Sequence, residues 1–357
     1  MSPKISYWMI SAANARGHSK GWLFAFLAVP LLALLDGCGS HQAPLRLAGE
    51  SMGTSWHVTV IPEAGTPAVP ALQKGIEDIL EAINLSMSTY REDSEISRFN
   101  ATPVDQWFGI STDFYTVLSS AMAIGWQSRG AYDVTVGPLV EQWGFGPAGP
   151  VLEAPSDDAI TDILERVGQD HLRLDGDSLQ LLKRSPVSLD LSSIAKGFAV
   201  DQVAQWLSEQ GVNRYLVEVG GEMRLAGLSG RGDPWRIAIE RPDSTDRSAE
   251  TAITLTDVAV ATSGDYRNFF EIDGQRFSHS IDPRRGYPVA HDLVSVTVVH
   301  PSAMMADGWA TALVVLGYKD AMAVAQEQGL AVYFIRRRED ALHVSHTPAF
   351  SRYLENK

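Results

Sequence analysis

Two hydrophobic periods alternate along this chain of 357 residues. Residues 71–85 place Leu72, Ile76, Ile79, Leu80 and Ile83 at helical spacing, which predicts an amphipathic helix. The same pattern predicts helices over 111–128, with Asp113 in the first turn, and over 157–167. A helix over 192–210 carries Ala199, Val203, Trp206 and Leu207 on one face, and 306–316 is apolar enough to be a buried helix. β-branched, alternating runs predict strands at 56–61, 215–219, 235–240, 251–262, 293–299 and 331–336, with a short apolar strand at 187–191. Residues 62–70 read as a loop, 86–100 as a polar, turn-rich stretch and 130–146 as a shaped loop of Gly, Pro and aromatics. No internal repeat or low-complexity tract interrupts this. Strands and helices mix without a βαβ rhythm, so the expected class is α+β. A seam at 228–234 is the one candidate boundary, and it does not read as an interdomain linker.

The first 37 residues follow a different pattern. Lys4, Arg16 and Lys20 precede an apolar run over 21–35, too short to span a bilayer core of about 30 Å comfortably. A basic segment followed by a short apolar one reads as an export signal. Leu35, Asp36, Gly37 and Cys38 then resemble a bacterial lipoprotein processing site, with Cys38 as the lipidated residue. The alternative is an uncleaved anchor with an incidental cysteine. The expected organisation is a signal over 1–37, a lipidated cysteine and tether over 38–46, a catalytic domain over 47–340 and a C-terminal tail over 341–357. The catalytic domain would face the periplasm from the inner or the outer membrane.

Composition narrows the function classes. The net charge is −14, and no Lys/Arg run supplies a local basic patch, which argues against a nucleic-acid surface. A single cysteine excludes a disulfide framework and a cysteine-based zinc site.

Several short constellations carry candidate chemistry. A strand-to-helix turn over 188–201 holds Asp190, Ser192, Ser193 and Lys196, where backbone N–H groups and the positive helix end suit an anion. It reads equally as a serine cap beside a solvated lysine. Asp307 and Thr311, four apart, share one helix face and suit a hard cation such as Mg²⁺. They can also be a cap and a hydroxyl bonded to the preceding turn. His279 sits among Ser278, Ser280 and Asp282, as a general base or a structural histidine. The aromatics and glycines of 130–147 can wall a flat ring or fill a core, and Met52 and Tyr90 can lie against such a ring.

In this order the segments resemble the ApbE family of FAD:protein FMN transferases. The matching pieces are 51–54, 88–90 with 93–100, 130–139, 190–197, 219–222, 261–266, 278–286 and 306–311, so the resemblance covers about 47–335. It implies a T-fold-like α+β architecture of mixed and antiparallel sheets with packed helices, the FAD site lying in a cleft between two subdomains. It also implies transfer of the FMN half of FAD to a Thr or Ser hydroxyl of a target protein, with a phosphoester formed, AMP released and Mg²⁺ required. The implied partners are flavin-carrying subunits of membrane redox pumps. By the resemblance Asp307 and Thr311 are metal ligands, completed by the Ala195 carbonyl or the Ser193 hydroxyl. His279 is the base. Met52, Tyr90, Ala131, Tyr132, Asp133, Asp190, Lys196 and Ile281 match FAD-holding positions. The alternatives are an FAD pyrophosphatase acting through the same site, a non-catalytic flavin-binding lipoprotein and a solute-binding lipoprotein of a transporter.

Overall fold

A computed structural model describes residues 43–242, 249–264, 269–272, 275–339 and 341–354. The expected signal and Cys38 lie outside the described residues. Among those described, no helix is long and apolar enough to cross a membrane.

In chain order the elements are β1 (Leu45–Ser51), β2 (Thr54–Val60), α1 (Val69–Met87), α2 (Glu95–Asn100), β3 (Phe108–Gly109), α3 (Thr112–Gln127), α4 (Gly137–Gln142) and α5 (Asp157–Leu164). There follow β4 (Leu172–Asp175), β5 (Gln180–Lys183), α6 (Ala195–Glu209), β6 (Tyr215–Val219), β7 (Glu222–Ala226), β8 (Trp235–Glu240), β9 (Ala249–Leu255) and β10 (Val258–Gly264). The chain ends with β11 (Phe269–Ile272), β12 (Gln275–Ser278), β13 (Ile281–Asp282), β14 (Tyr287–Pro288), β15 (Leu293–His300), α7 (Ala303–Leu316), α8 (Tyr318–Glu327), β16 (Ala331–Arg338) and β17 (Ala341–His346).

The frame is an antiparallel sheet of order β1-β2-β6-β7-β10-β15-β16-β17. Period-two alternation makes it two-faced. In β16, Val332 and Phe334 enter the main core with α1, α3, α6, α7 and α8, while Ala331, Tyr333 and Ile335 enter a second core. The β8–β9 ribbon and a short 3₁₀ turn at Pro348–Tyr353 close that second face. β15 is buried over all but its last residue, as a central strand covered on both faces must be. A third, smaller apolar cluster gathers Leu139, Trp143, Ile160, Ile163 and Ile281. The α+β class expected from the sequence is the class observed.

Several local expectations change. Residues 187–191 form no ladder, only a bridge from Ser188 to Val136. The Asn100 side chain substitutes for a neighbouring strand: its Nδ2 donates to the Leu189 carbonyl at 2.9 Å and its Oδ1 accepts from the Leu189 N–H at 2.8 Å. The polar stretch 86–100 ends in a helix, because Ser94 caps α2 by accepting from the Ser97 N–H. The shaped loop contains α4, started by Pro138. The predicted strand 251–262 is two strands in different sheets, broken where Asp257 takes φ 54°. The seam at 228–234 is the connection from β7 to β8, closed by the Ser229 N–H donating to the Asp233 carbonyl. The expected tail is, over 341–354, an edge strand and a 3₁₀ turn that buries Phe350 and Tyr353.

Candidate active site

A cleft of about 1300 Å³ opens over the start of α6, the middle of α7 and the tip of the β6–β7 hairpin. It exceeds the roughly 300–1,000 Å³ usual for a small-ligand site. It gathers Tyr90, Ala131, Tyr132, Asp133, Asp190, Ser193, Lys196, His279, Ile281, Asp307 and Thr311 on its walls. Positions as far apart in sequence as 90 and 311 therefore meet. Met52 does not line the cleft. It occupies the β1–β2 turn at φ 53° and packs partly against the main core. Ala195 is the buried first residue of α6 and contributes no wall.

The charged centre lies where α6 and α7 cross. Gly197 permits the close approach, since a Cβ there would stand 2.3 Å from the Ala303 carbonyl oxygen. The Gly197 N–H donates to Asp307 Oδ2 at 3.0 Å. Lys196 Nζ lies 3.1 Å from Glu222 Oε1 and 3.8 Å from Asp307 Oδ2. Burial pushes the Asp307 carboxyl above its ordinary pKa, against the pull of Lys196 and the Gly197 N–H. Burial raises Glu222 likewise. For Lys196 burial acts downward, but the Asp307 and Glu222 carboxylates outweigh it and hold the ammonium firmly charged.

Polar groups of the neighbouring turns surround this centre. α6 has no side-chain cap at its N-terminus, yet its first N–H groups are largely spent within the protein: Ala195 donates to the Leu191 carbonyl at 2.9 Å, Gly197 to Asp307 and Phe198 to the Ile194 carbonyl at 3.0 Å. Ser193 Oγ donates to the Tyr132 hydroxyl at 2.8 Å. Burial keeps the Tyr132 phenol protonated far into alkali, so its own proton remains for a ligand oxygen. Asp190 accepts from the Ser192 N–H at 2.8 Å, which shapes the turn. Asp133 spends both oxygens on bracing: Oδ1 accepts from Thr135 and Oδ2 from the Gln169 N–H. Tyr90 is 71% exposed at the rim. Burial, then the charges of Asp190 and Glu141, raises its pKa. His279 stands edge-on to Phe145, ring centroids 6.3 Å apart.

Three residues with no role read from the sequence line this region or brace it. Ser263 Oγ lies 3.3 Å from Thr311 Oγ1 and lines the cleft. Glu222 was visible only as the end of the 219–222 segment. Asp201, on α6, accepts from Ser302 Oγ at 2.7 Å, from the Ala303 and Met304 N–H groups at 3.0 Å each, and from Arg224 at 2.6 Å. It caps α7 from a neighbouring helix, a partnership that lies 101 residues away in sequence and carries no local signal. Asp201→Ala is expected to cost about 2–4 kcal/mol, the sum of a lost cap and a charge-assisted bond. Urea unfolding measures this. A change under about 0.5 kcal/mol, the scale of an ordinary surface substitution, would show that α7 is held without it.

The donor set suits a hard cation. Among the described residues no three His, Cys, Asp or Glu side chains form a metal group. The side-chain oxygens present are the Asp307 carboxylate, the Thr311, Ser193 and Ser263 hydroxyls, and the Glu222 carboxyl paired with Lys196. An all-oxygen set of this kind suits a hard cation such as Mg²⁺ better than a transition metal. Glu222 Oε2 is buried without a hydrogen-bond partner.

Known proteins resemble this chain over most of its length. A family model described as "ApbE family" matches residues 52–334. A Vibrio cholerae protein named FAD:protein FMN transferase is 43% identical over 336 residues, 94% of this chain and 99% of that protein. The solved structure of flavin transferase ApbE from Vibrio cholerae is similar at a TM-score of 0.82 and 43% identity, covering 87% of this chain and 99% of that one. The apo form of a Pseudomonas stutzeri flavinyl transferase ApbE is similar at a TM-score of 0.81 and 38% identity, covering 87% and 97%.

Proposed function

The chain belongs to the ApbE family, and from that premise we infer the chemistry of its cleft. It is an enzyme that takes FAD and transfers the FMN part to a protein. We propose that the acceptor is a Thr or Ser hydroxyl. Its oxygen attacks the FMN phosphorus, the bond from that phosphorus to the bridging oxygen breaks, and AMP leaves with that oxygen. A phosphoester joins FMN to the protein.

The observation that carries this reading is the convergence of Lys196, Asp307, Thr311 and His279 on one cleft. Lys196 and the Tyr132 hydroxyl bind the pyrophosphate, and the Lys196 ammonium offsets its charge. His279 takes the acceptor hydroxyl proton. Ala131, Ile281 and Tyr90 border the flavin and adenine ends. Asp307 and Thr311, with Ser193 or the Ala195 carbonyl, would hold Mg²⁺, which when bound supplies positive charge to the pyrophosphate. Export as a lipoprotein lipidated at Cys38, with the enzyme facing the periplasm and acting on flavin subunits of membrane redox pumps, completes the proposal.

The full chain in detergent, incubated with FAD, Mg²⁺ and an acceptor domain bearing a reactive threonine, tests it. The expected result is an acceptor mass gain of one FMN with matching AMP. AMP and free FMN without a mass gain would instead favour the pyrophosphatase. Bound FAD with neither product would favour a binding protein.

A further inference from the structure

Glu222 has no part in the chemistry assigned above, yet it is only 4% exposed inside the cleft. It begins β7 directly after Gly220 and Gly221, which take φ +60° and +105° in a turn suited to glycine. That turn is braced from the opposite face of the sheet. Glu218 accepts from the Gly221 N–H at 2.7 Å and pairs with His57 Nδ1 at 2.7 Å. Glu222 therefore stands on a fixed support. One of its oxygens holds Lys196 Nζ at 3.1 Å, and the other has no partner.

A structural role explains this arrangement poorly. A buried ion pair loses hydration that its attraction barely repays, and an unpartnered oxygen adds to the loss. The geometry offers another role. Lys196 is a single cation on a flexible stem between two carboxylates, and it lies closer to Glu222 than to Asp307, at 3.1 Å against 3.8 Å. Where the ammonium rests decides whether Asp307 keeps a free charge.

We propose that Glu222 is a positioning residue that holds the Lys196 ammonium off Asp307, leaving the Asp307 carboxylate open to a divalent cation. Without it the ammonium settles on Asp307 and competes with the cation. The proposal rests on the cation reading of the cleft.

The test titrates the full chain with Mn²⁺ in the absence of FAD, following the free-ion signal by electron paramagnetic resonance. Thermal melts show that each variant is folded. Glu222→Gln, isosteric with the native residue, is expected to weaken Mn²⁺ binding about tenfold or more, as loss of a group that positions a metal ligand's neighbour does. Glu222→Asp keeps the charge but withdraws it by one methylene, and is expected to lose most of the same affinity. Adding Lys196→Met to Glu222→Gln is expected to restore most of it, because the competitor is gone. Wild-type affinity in Glu222→Asp would overturn the proposal, since charge alone would then suffice. Unchanged affinity in Glu222→Gln, or no recovery in the double variant, would also overturn it while leaving the cation reading standing. A wild-type chain that takes no Mn²⁺ would overturn both.

Discussion

Asp307→Ala is expected to slow FMN transfer by about 10³ or more while the chain stays folded. Asp307 is the only carboxylate among the proposed cation ligands, and it sits on a buried face of α7. Loss of a bound cation removes several kcal/mol of charge stabilisation at the reacting phosphorus, and about 4 kcal/mol corresponds to about 10³ in rate. The fold has compensating reasons to survive. The Gly197 N–H loses its acceptor, at a cost of roughly 1–3 kcal/mol, but a desolvated charge disappears as well. Rates of acceptor flavinylation at saturating FAD, with a thermal melt alongside, check this. Chelation of the wild-type enzyme should produce a similar loss. Transfer within about threefold of wild type, less than 1 kcal/mol in the barrier, would remove Asp307 from the site.

His279→Ala is expected to separate binding from chemistry. The ring lies on the cleft wall against Phe145, and the proposed role is to accept one proton from the attacking hydroxyl. A positioned base contributes about 10²–10⁴, so transfer should fall by that factor. FAD affinity, read by flavin fluorescence, should stay close to wild type, because the Lys196 ammonium and the Tyr132 hydroxyl remain. An equal fall in FAD affinity and transfer would make His279 a ligand contact and leave the base unassigned.

Much of this site was legible before the fold was known. The four-residue spacing of Asp307 and Thr311 places them on one helix face whatever surrounds that helix. The strand-to-helix turn ahead of Lys196 is likewise a local pattern, and the structure keeps it as a turn into α6. Met52 reads as able to lie against a ring and as a matched position, but the structure seats it in a turn against the core rather than on the cleft wall. Asp133 is on the wall, but the loops it braces use both its oxygens.

What escaped the sequence has a common cause. Asp201 looks like one more polar residue of a helix until α7 begins against it. Glu222 is only the end of a matched segment until the hairpin sets it beside Lys196. The predicted strand at 187–191 failed because Asn100, distant in sequence, occupies its hydrogen-bonding edge.

The sequence by itself determined the periods of its helices and strands, the α+β class and the residue types available for phosphate and cation chemistry. These depend on neighbours within a few positions, and local sterics and burial patterns set them. Only the tertiary structure decided which carboxylate caps a helix, which stands nearest Lys196 and which accepts from the Gly197 N–H. Charges and hydrogen bonds act over a few ångströms of space, and the folded sheet, not the chain order, sets those distances.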